Sequence, residues 1–281
     1  MGEGKRVQEP SVTEAVNPRT RDIDRRRTEE ILTLLLDEDA RVPAAVREAL
    51  PALTRAAERL SETLARGGRW LNLGAGTSGR LGLLDAAELP PTYGIDPDRV
   101  QAILAGGPAA LATATEGAED DAESARAELR ARGLCERDAL LAISASGRTP
   151  FVLAAVEHAR SVGATTLGLT CAPGSELVRR VEVPIVVVVG PEAIAGSTRL
   201  KGGLAQKMVL QMLSTTVMIR CGRVRGNLMT ELRTQSGKLH ERAVRIVMEL
   251  TGAEAAIAEH ALEEARGSVS GAVQRLISRR G

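Results

Sequence analysis

Between residues 69 and 190 the chain repeats one pattern, in which short apolar runs are separated by stretches of helical character. The runs are WLNLG (70–74), VQAILAG (100–106), ALLAIS (139–144), TTLGLT (165–170) and PIVVVVG (184–190). They are apolar throughout rather than alternating, as strands become when helices cover both faces of a sheet. Runs alternating with helices signal βαβ units, so the pattern predicts an α/β fold with a five-stranded parallel sheet flanked by helices. Upstream, RRRTEEILTLLLDED reads as a helix, and Val46, Leu50, Leu53, Ala57, Leu60 and Leu64 recur at intervals of four and three, which makes one buried stripe. Pro51 lacks the N–H that a helix interior needs, so a kink or a break between two helices is expected there. The first twenty or so residues have no apolar period and carry Pro10 and Pro18; an arm ordered by contact is expected. Beyond residue 200 the pattern is almost wholly helical, with AQKMVLQMLSTTVMIRCG, a second helix around 229–250 and two short helices from 253 onward. The chain therefore divides into N-terminal arm and helices (1–66), an α/β domain (67–225) and a C-terminal helical region (226–281).

Composition narrows the partners. Thirty-seven basic against 36 acidic side chains leave a net charge of +1, so no global field recruits nucleic acid or an anionic membrane. Trp70, Tyr93 and Phe151 are the only aromatic residues, too few to build stacking platforms for bases. The one basic segment, PRTRDIDRRR, is interleaved with acids. Neither nucleic acid nor membrane is expected as a partner. Cys135, Cys171 and Cys221 are odd in number and widely spaced, which suggests no metal or redox pair and fits a reducing cytoplasm. The N-terminus is too charged for a signal peptide, and no run of eighteen or more apolar residues occurs.

Two loops carry the chemistry. Gly74-Ala75-Gly76-Thr77-Ser78-Gly79 follows the first strand, and Ser144-Ala145-Ser146-Gly147-Arg148-Thr149-Pro150 follows the third. Each opens a helix, where unpaired N–H groups and the helix dipole favour an anion. Small residues let the ligand approach, and Thr77, Ser78, Ser144, Ser146 and Thr149 add hydroxyl donors suited to a phosphate monoester. One such loop alone would read as an ordinary βα turn with Ser and Thr caps; two in the same context favour phosphate. The first loop has G-x-G-x-x-G spacing, but a dinucleotide site also needs an acid at the end of the second strand to hold the ribose. That strand ends in Ala105-Gly106-Gly107, and Asp96 and Asp98 precede it.

Five stretches resemble the N-acetylmuramic acid 6-phosphate etherases, a family of sugar-isomerase-domain (SIS) proteins: LGAGTSGRLGLLDAAELPPTYG (73–94), AGGPAALATATEGAEDD (105–121), ISASGRTPFVLAAVEHARSVGATTLGLTC (143–171), IAGSTRLKGGLAQKMVLQMLST (194–215) and GNLMTELRTQSGKLHERAVRIV (226–247). The resemblance implies a flavodoxin-like parallel sheet, a homodimer, no metal or nucleotide cofactor, and a phosphosugar substrate. The implied reaction cleaves the lactyl ether of N-acetylmuramic acid 6-phosphate to N-acetylglucosamine 6-phosphate and D-lactate. It needs one group to take the C2 proton of the opened sugar and another to protonate the lactyl oxygen leaving C3, after which water adds. By resemblance these are Glu88, in DAAELPPT, and Glu119, in EGAEDD. Read from the residues alone, Glu88 is equally a surface carboxylate where Pro90-Pro91 stop a helix, and Glu119 is one acid of a cluster with Glu116, Asp120, Asp121 and Glu123.

The expected substrate-binding set is Gly76, Thr77, Ser78, Ser144, Ser146, Gly147, Arg148, Thr149, Ser197 and Lys201. Within the polar cluster Ser197, Arg199, Lys201, Gln206 and Lys207, cations would meet a substrate carboxylate. Arg80 and Arg148 could pair with phosphate or carboxylate, or be simply solvated; His240 could assist ring opening or lie on a polar helix surface. Met208, Met212, Leu213 and Val217 suit a core or a dimer interface. Two departures from the family pattern stand out: Leu204 replaces a common hydroxyl residue, and the last helix ends early in Arg279-Arg280-Gly281. A phosphosugar sensor would need the loops but not the glutamates, and a phosphosugar isomerase would need no proton donor to an ether.

Overall fold

The computed structural model describes residues 12–113, 115–232 and 237–278. Five parallel strands, β1 (Trp70–Gly74), β2 (Val100–Leu104), β3 (Ala139–Ile143), β4 (Thr165–Thr170) and β5 (Val183–Val186), lie in the order β2-β1-β3-β4-β5. Successive strand residues face opposite sides, and both sides are covered. Trp70, Leu141, Ile143, Leu167 and Leu169 pack under α3 (Leu50–Ala65), α4 (Gly76–Tyr93) and α9 (Lys201–Arg220). Leu71, Leu73, Leu140 and Ala142 pack under α6 (Ala122–Ala131), α7 (Pro150–Ser161) and α8 (Glu176–Arg180). The exception is Asn72, whose Nδ2 donates to Gly82 O of α4 at 3.1 Å. Three strands end sooner than expected, β3 only just, at Ile143. β2 ends before Gly106, and β5 stops at Val186 because it has β4 alone to pair with and β4 ends at Thr170.

Helices α1 (Thr28–Asp39) and α2 (Val42–Glu48) precede α3, and the expected break falls at Ala49. Pro51 thereby becomes the second residue of α3, where a missing N–H costs nothing. The new helix changes the stripe: Val46, Leu53, Ala57, Leu60 and Leu64 are buried, but Leu50 is exposed. The N-terminal helix α1 buries little of its apolar side, with Leu32 63% and Leu36 69% exposed. Of the expected arm, residues 1–11 lie outside the described residues. The remainder is held by contact: Thr13 O accepts from Gly196 N (3.1 Å), Asn17 Nδ2 donates to Pro191 O (3.2 Å) and Thr20 Oγ1 to Ala193 O (2.7 Å).

The C-terminal region differs from expectation at its start. Residues 224–229 form a hairpin, β6 (Val224–Arg225) with β7 (Leu228–Met229), and α10 begins only at Gly237 and ends at Thr251. The turn is Gly226-Asn227, a two-residue hairpin connection with glycine first. With α11 (Ala255–Glu264) and α12 (Val269–Ser278), α10 forms a separate apolar core around Val247, Leu262, Val269 and Val273. Arg279-Arg280-Gly281 lie outside the described residues. No helix of the described residues is long and apolar enough to cross a membrane.

A pin closes the amino-terminal edge of the sheet. Asp138 is buried and accepts from Arg69 N (2.8 Å), Arg69 Nη2 (2.6 Å) and Cys135 N (3.2 Å). Burial pushes its pKa up, but the hydrogen bonds from Arg69 and the two backbone N–H groups together outweigh it and hold the carboxyl below the usual range.

Candidate functional site

The chain leaves β1 for β2 on one side and for β3 on the other, so a crevice opens at the carboxyl ends of β1 and β3, where α/β sheets bind ligands. Gly74 is in register with both Leu104 and Ile143, which puts the loops after β1, β2 and β3 at one level. Packing explains the first loop's spacing. A Cβ on Gly79 would lie 2.4 Å from Gly74 O and 2.6 Å from Leu104 Cδ1, so α4 can start tight against its own strand only without a side chain there. No side chain caps this end of α4 among the described residues. Gly76 is its exposed first residue, Thr77 is half-buried facing Gly203 of α9, and Ser78 is buried.

The second loop gathers three hydroxyls. Ser144 Oγ lies 2.9 Å from Thr149 Oγ1 and 3.4 Å from Ser146 Oγ, and it accepts from Gly147 N at 3.0 Å. Arg148 N donates to Ser146 Oγ at 3.3 Å, while the Arg148 side chain is exposed. Gly147 has φ +63°, and a Cβ there would come within 2.2 Å of Ser175 Oγ. Ser175, which no local signal in the sequence marked, is a buried hydroxyl beneath this loop, without a hydrogen-bond partner among the described residues. The loop is thus a small polar cradle at the entrance to α7.

Glu119 lies across β1 from that cradle. It sits in a single turn, Ala118–Asp120, and lines a cavity of about 260 Å³ with Gly76, Arg80, Thr115 and Glu116. Because adjacent strands lie about 4.8 Å apart, the loops after β3 and β2 are roughly 10 Å apart, a span suited to a hexose with its phosphate at one end. Glu88 does not join them within one chain. It is exposed, without a hydrogen bond or ion pair among the described residues, and twelve residues after Gly76; at 1.5 Å rise per residue that is roughly 18 Å along α4. Its helix does not stop at Pro90-Pro91 but continues to Tyr93 and closes on Gly94, whose N–H donates to Pro90 O (2.9 Å).

Lys201 is also placed apart. Its side chain is 1% exposed, its Nζ pairs with the Glu38 carboxylate and donates to Pro191 O (2.6 Å), and Arg19 and Asn17 donate to the same carboxylate. Burial raises the Glu38 pKa, but these donors together bring it below its ordinary value. The first turn of α9 is taken too: Glu192 accepts from Lys201 N (3.0 Å) and Gly202 N (2.8 Å). Burial nevertheless pushes Glu192 upward, against those two N–H groups. Ser197 is half-buried in the loop preceding α9. His240 lies on α10, 3.6 Å from Glu259 of α11. Leu213 and Val217 are core residues, with Met208 and Met212 packed against them. Burial pushes the Cys171 thiol up to about 12, which removes it as a nucleophile. Unforeseen was Asp85, buried between α4 and α9: it accepts from Ser214 Oγ (3.1 Å), and burial raises its pKa against that bond and the nearby Lys207 charge.

A parallel sheet in this strand order, with a hydroxyl-rich cradle after β3, is of flavodoxin-like type, and the sequence matches two models of the sugar-isomerase-domain class. These are the glucokinase regulatory protein N-terminal SIS domain over residues 52–160 and the SIS domain over residues 124–216. Among solved structures, a phosphoheptose isomerase from Francisella tularensis aligns with TM-score 0.54 at 20% identity, covering 68% of this chain and 98% of that one. A phosphoheptose isomerase from Neisseria gonorrhoeae aligns with TM-score 0.53 at 18% identity over 68% and 98%. Both show likeness of fold. Sequence relatives are much nearer: an N-acetylmuramic acid 6-phosphate etherase from Aeromonas hydrophila is 47% identical over 95% of this chain and 90% of its own length, and one from Mycolicibacterium smegmatis is 49% identical over 94% and 89%. The chain belongs to the N-acetylmuramic acid 6-phosphate etherase family.

Proposed function

We propose that the protein cleaves the lactyl ether of N-acetylmuramic acid 6-phosphate, with water, to N-acetylglucosamine 6-phosphate and D-lactate, as a cytoplasmic homodimer. One observation carries this: Glu119 faces a cavity beside Gly76 while the hydroxyls of Ser144, Ser146 and Thr149 converge two strands away. With the phosphate on those hydroxyls, the sugar ring lies across the end of β1 and its C2 and C3 come to Glu119. In the ring-opened aldehyde the C2 proton is acidic. One glutamate takes that proton, the electron pair forms the C2–C3 double bond, and the C3–O bond breaks as the other glutamate protonates the leaving lactyl oxygen. Water then adds to C3 and a proton returns to C2. A non-catalytic sensor would have no use for a carboxylate at this place.

The second glutamate is supplied by the partner subunit. Glu88 shares a face of α4 with Leu84, which is 45% exposed, and with exposed Ala87; an apolar surface around a partnerless carboxylate suits contact with a second copy. All three cysteines are free, as in a reducing compartment.

The test is incubation of the purified protein with N-acetylmuramic acid 6-phosphate in deuterated water. D-lactate release with deuterium at C2 of the product is expected. Phosphosugar binding without lactate would replace the etherase by a sensor, and lactate without deuterium would replace elimination by direct displacement.

A further inference from the structure

The proposed substrate carries two anions, a C6 phosphate and a lactyl carboxylate, and the sugar product keeps only the first. Of the cations expected for the carboxylate at the start of α9, the one in its first turn is not free for it. Lys201 is committed to Glu38 and Pro191 O, and Glu192 already occupies the first N–H groups of that helix. We infer that Arg80 binds the lactyl carboxylate and is the residue by which the site tells the ether from its own product; this rests on the etherase reading above.

Arg80 lies one helical turn after Gly76 and is the single cation among the described residues lining the cavity that holds Glu119. Its Nε donates to Ala110 O (3.0 Å) and Leu111 O (3.1 Å), two carbonyls of the short helix α5 (Ala109–Ala112). Those bonds fix the guanidinium plane, and among the described residues none of its hydrogen bonds uses Nη1 or Nη2. What remains is a rigid two-pronged donor, the geometry that carboxylates prefer and that a lysine cannot offer. Position agrees with this role. The carboxylate is attached next to the ether carbon, so its partner must sit beside the acid–base group and away from the phosphate cradle. Charge agrees as well, because Glu116 and Glu119 line the same cavity and would repel a second carboxylate brought there without a compensating cation.

The experiment compares wild type with Arg80→Gln on three molecules: N-acetylmuramic acid 6-phosphate, N-acetylglucosamine 6-phosphate as competitive inhibitor, and a 3-O-ethyl analogue that keeps an ether but no carboxylate. For the carboxylated substrate kcat/KM is expected to fall roughly 10- to 100-fold, mainly through KM, as for a lost hydrogen bond to a charged group. Binding of the two molecules without carboxylate should be unchanged, which also shows that the variant is folded. Equal losses for all three would make Arg80 a phosphate ligand or a tie to α5 and overturn the assignment. So would an unaffected kcat/KM in an enzyme whose wild type releases lactate. A wild type that releases none removes the etherase reading, and Arg80's role with it.

Discussion

Gly147 meets two demands at once, a left-handed backbone and a neighbouring Ser175 hydroxyl where a Cβ would go. Gly147→Ala is expected to cost about 2–4 kcal/mol of stability, from backbone strain and overpacking together. The check is a shifted denaturation midpoint together with weaker phosphosugar binding. Glu119→Gln, by contrast, leaves the cradle untouched: lactate release should fall by roughly 10²- to 10⁴-fold, the range for losing a general acid or base, with N-acetylglucosamine 6-phosphate still bound. What a residue meets was legible where its partners are close in sequence, as for the hydroxyls of Ser144, Ser146 and Thr149. Lys201 was not legible, because its partner Glu38 lies 163 positions away and nothing local announces the pairing. Glu119 is an intermediate case, since five acids crowd that segment and charge pattern alone cannot choose among them; family resemblance singled it out.

Among the elements, the strands were readable because burial on both faces leaves an unbroken apolar run, and their ends were not, because pairing length depends on the neighbour. β5 stops where β4 stops. The hairpin at 224–229 was overlooked although Gly226-Asn227 is a turn signal, because the next helix was expected to begin around residue 229. At the opposite edge the Arg69–Asp138 pin ties β1 to β3 and gives acid sensitivity of defined sign. The folded-state pKa of Asp138 is depressed, so its contribution is present above the unfolded value near 3.9 and is lost as pH falls through the folded one. Asp138→Asn should therefore lower stability by roughly 2–4 kcal/mol at neutral pH. Urea titrations from pH 7 to pH 3 should show the gap from wild type closing below about pH 4.

For the molecule as a whole, the decisive distance is the one between Glu119 at the head of α4 and Glu88 near its far end. If each site takes one glutamate from each chain, Glu88→Gln and Glu119→Gln enzymes, each inactive alone, should complement when unfolded and refolded together. Random pairing makes half the dimers mixed, each with one intact site of two, so about one quarter of wild-type activity is expected. No recovery would place both glutamates in a single chain. With one glutamate from each chain, catalysis would also depend on concentration. Specific activity should decline on dilution as subunits part, and return when a bound phosphosugar favours the paired form.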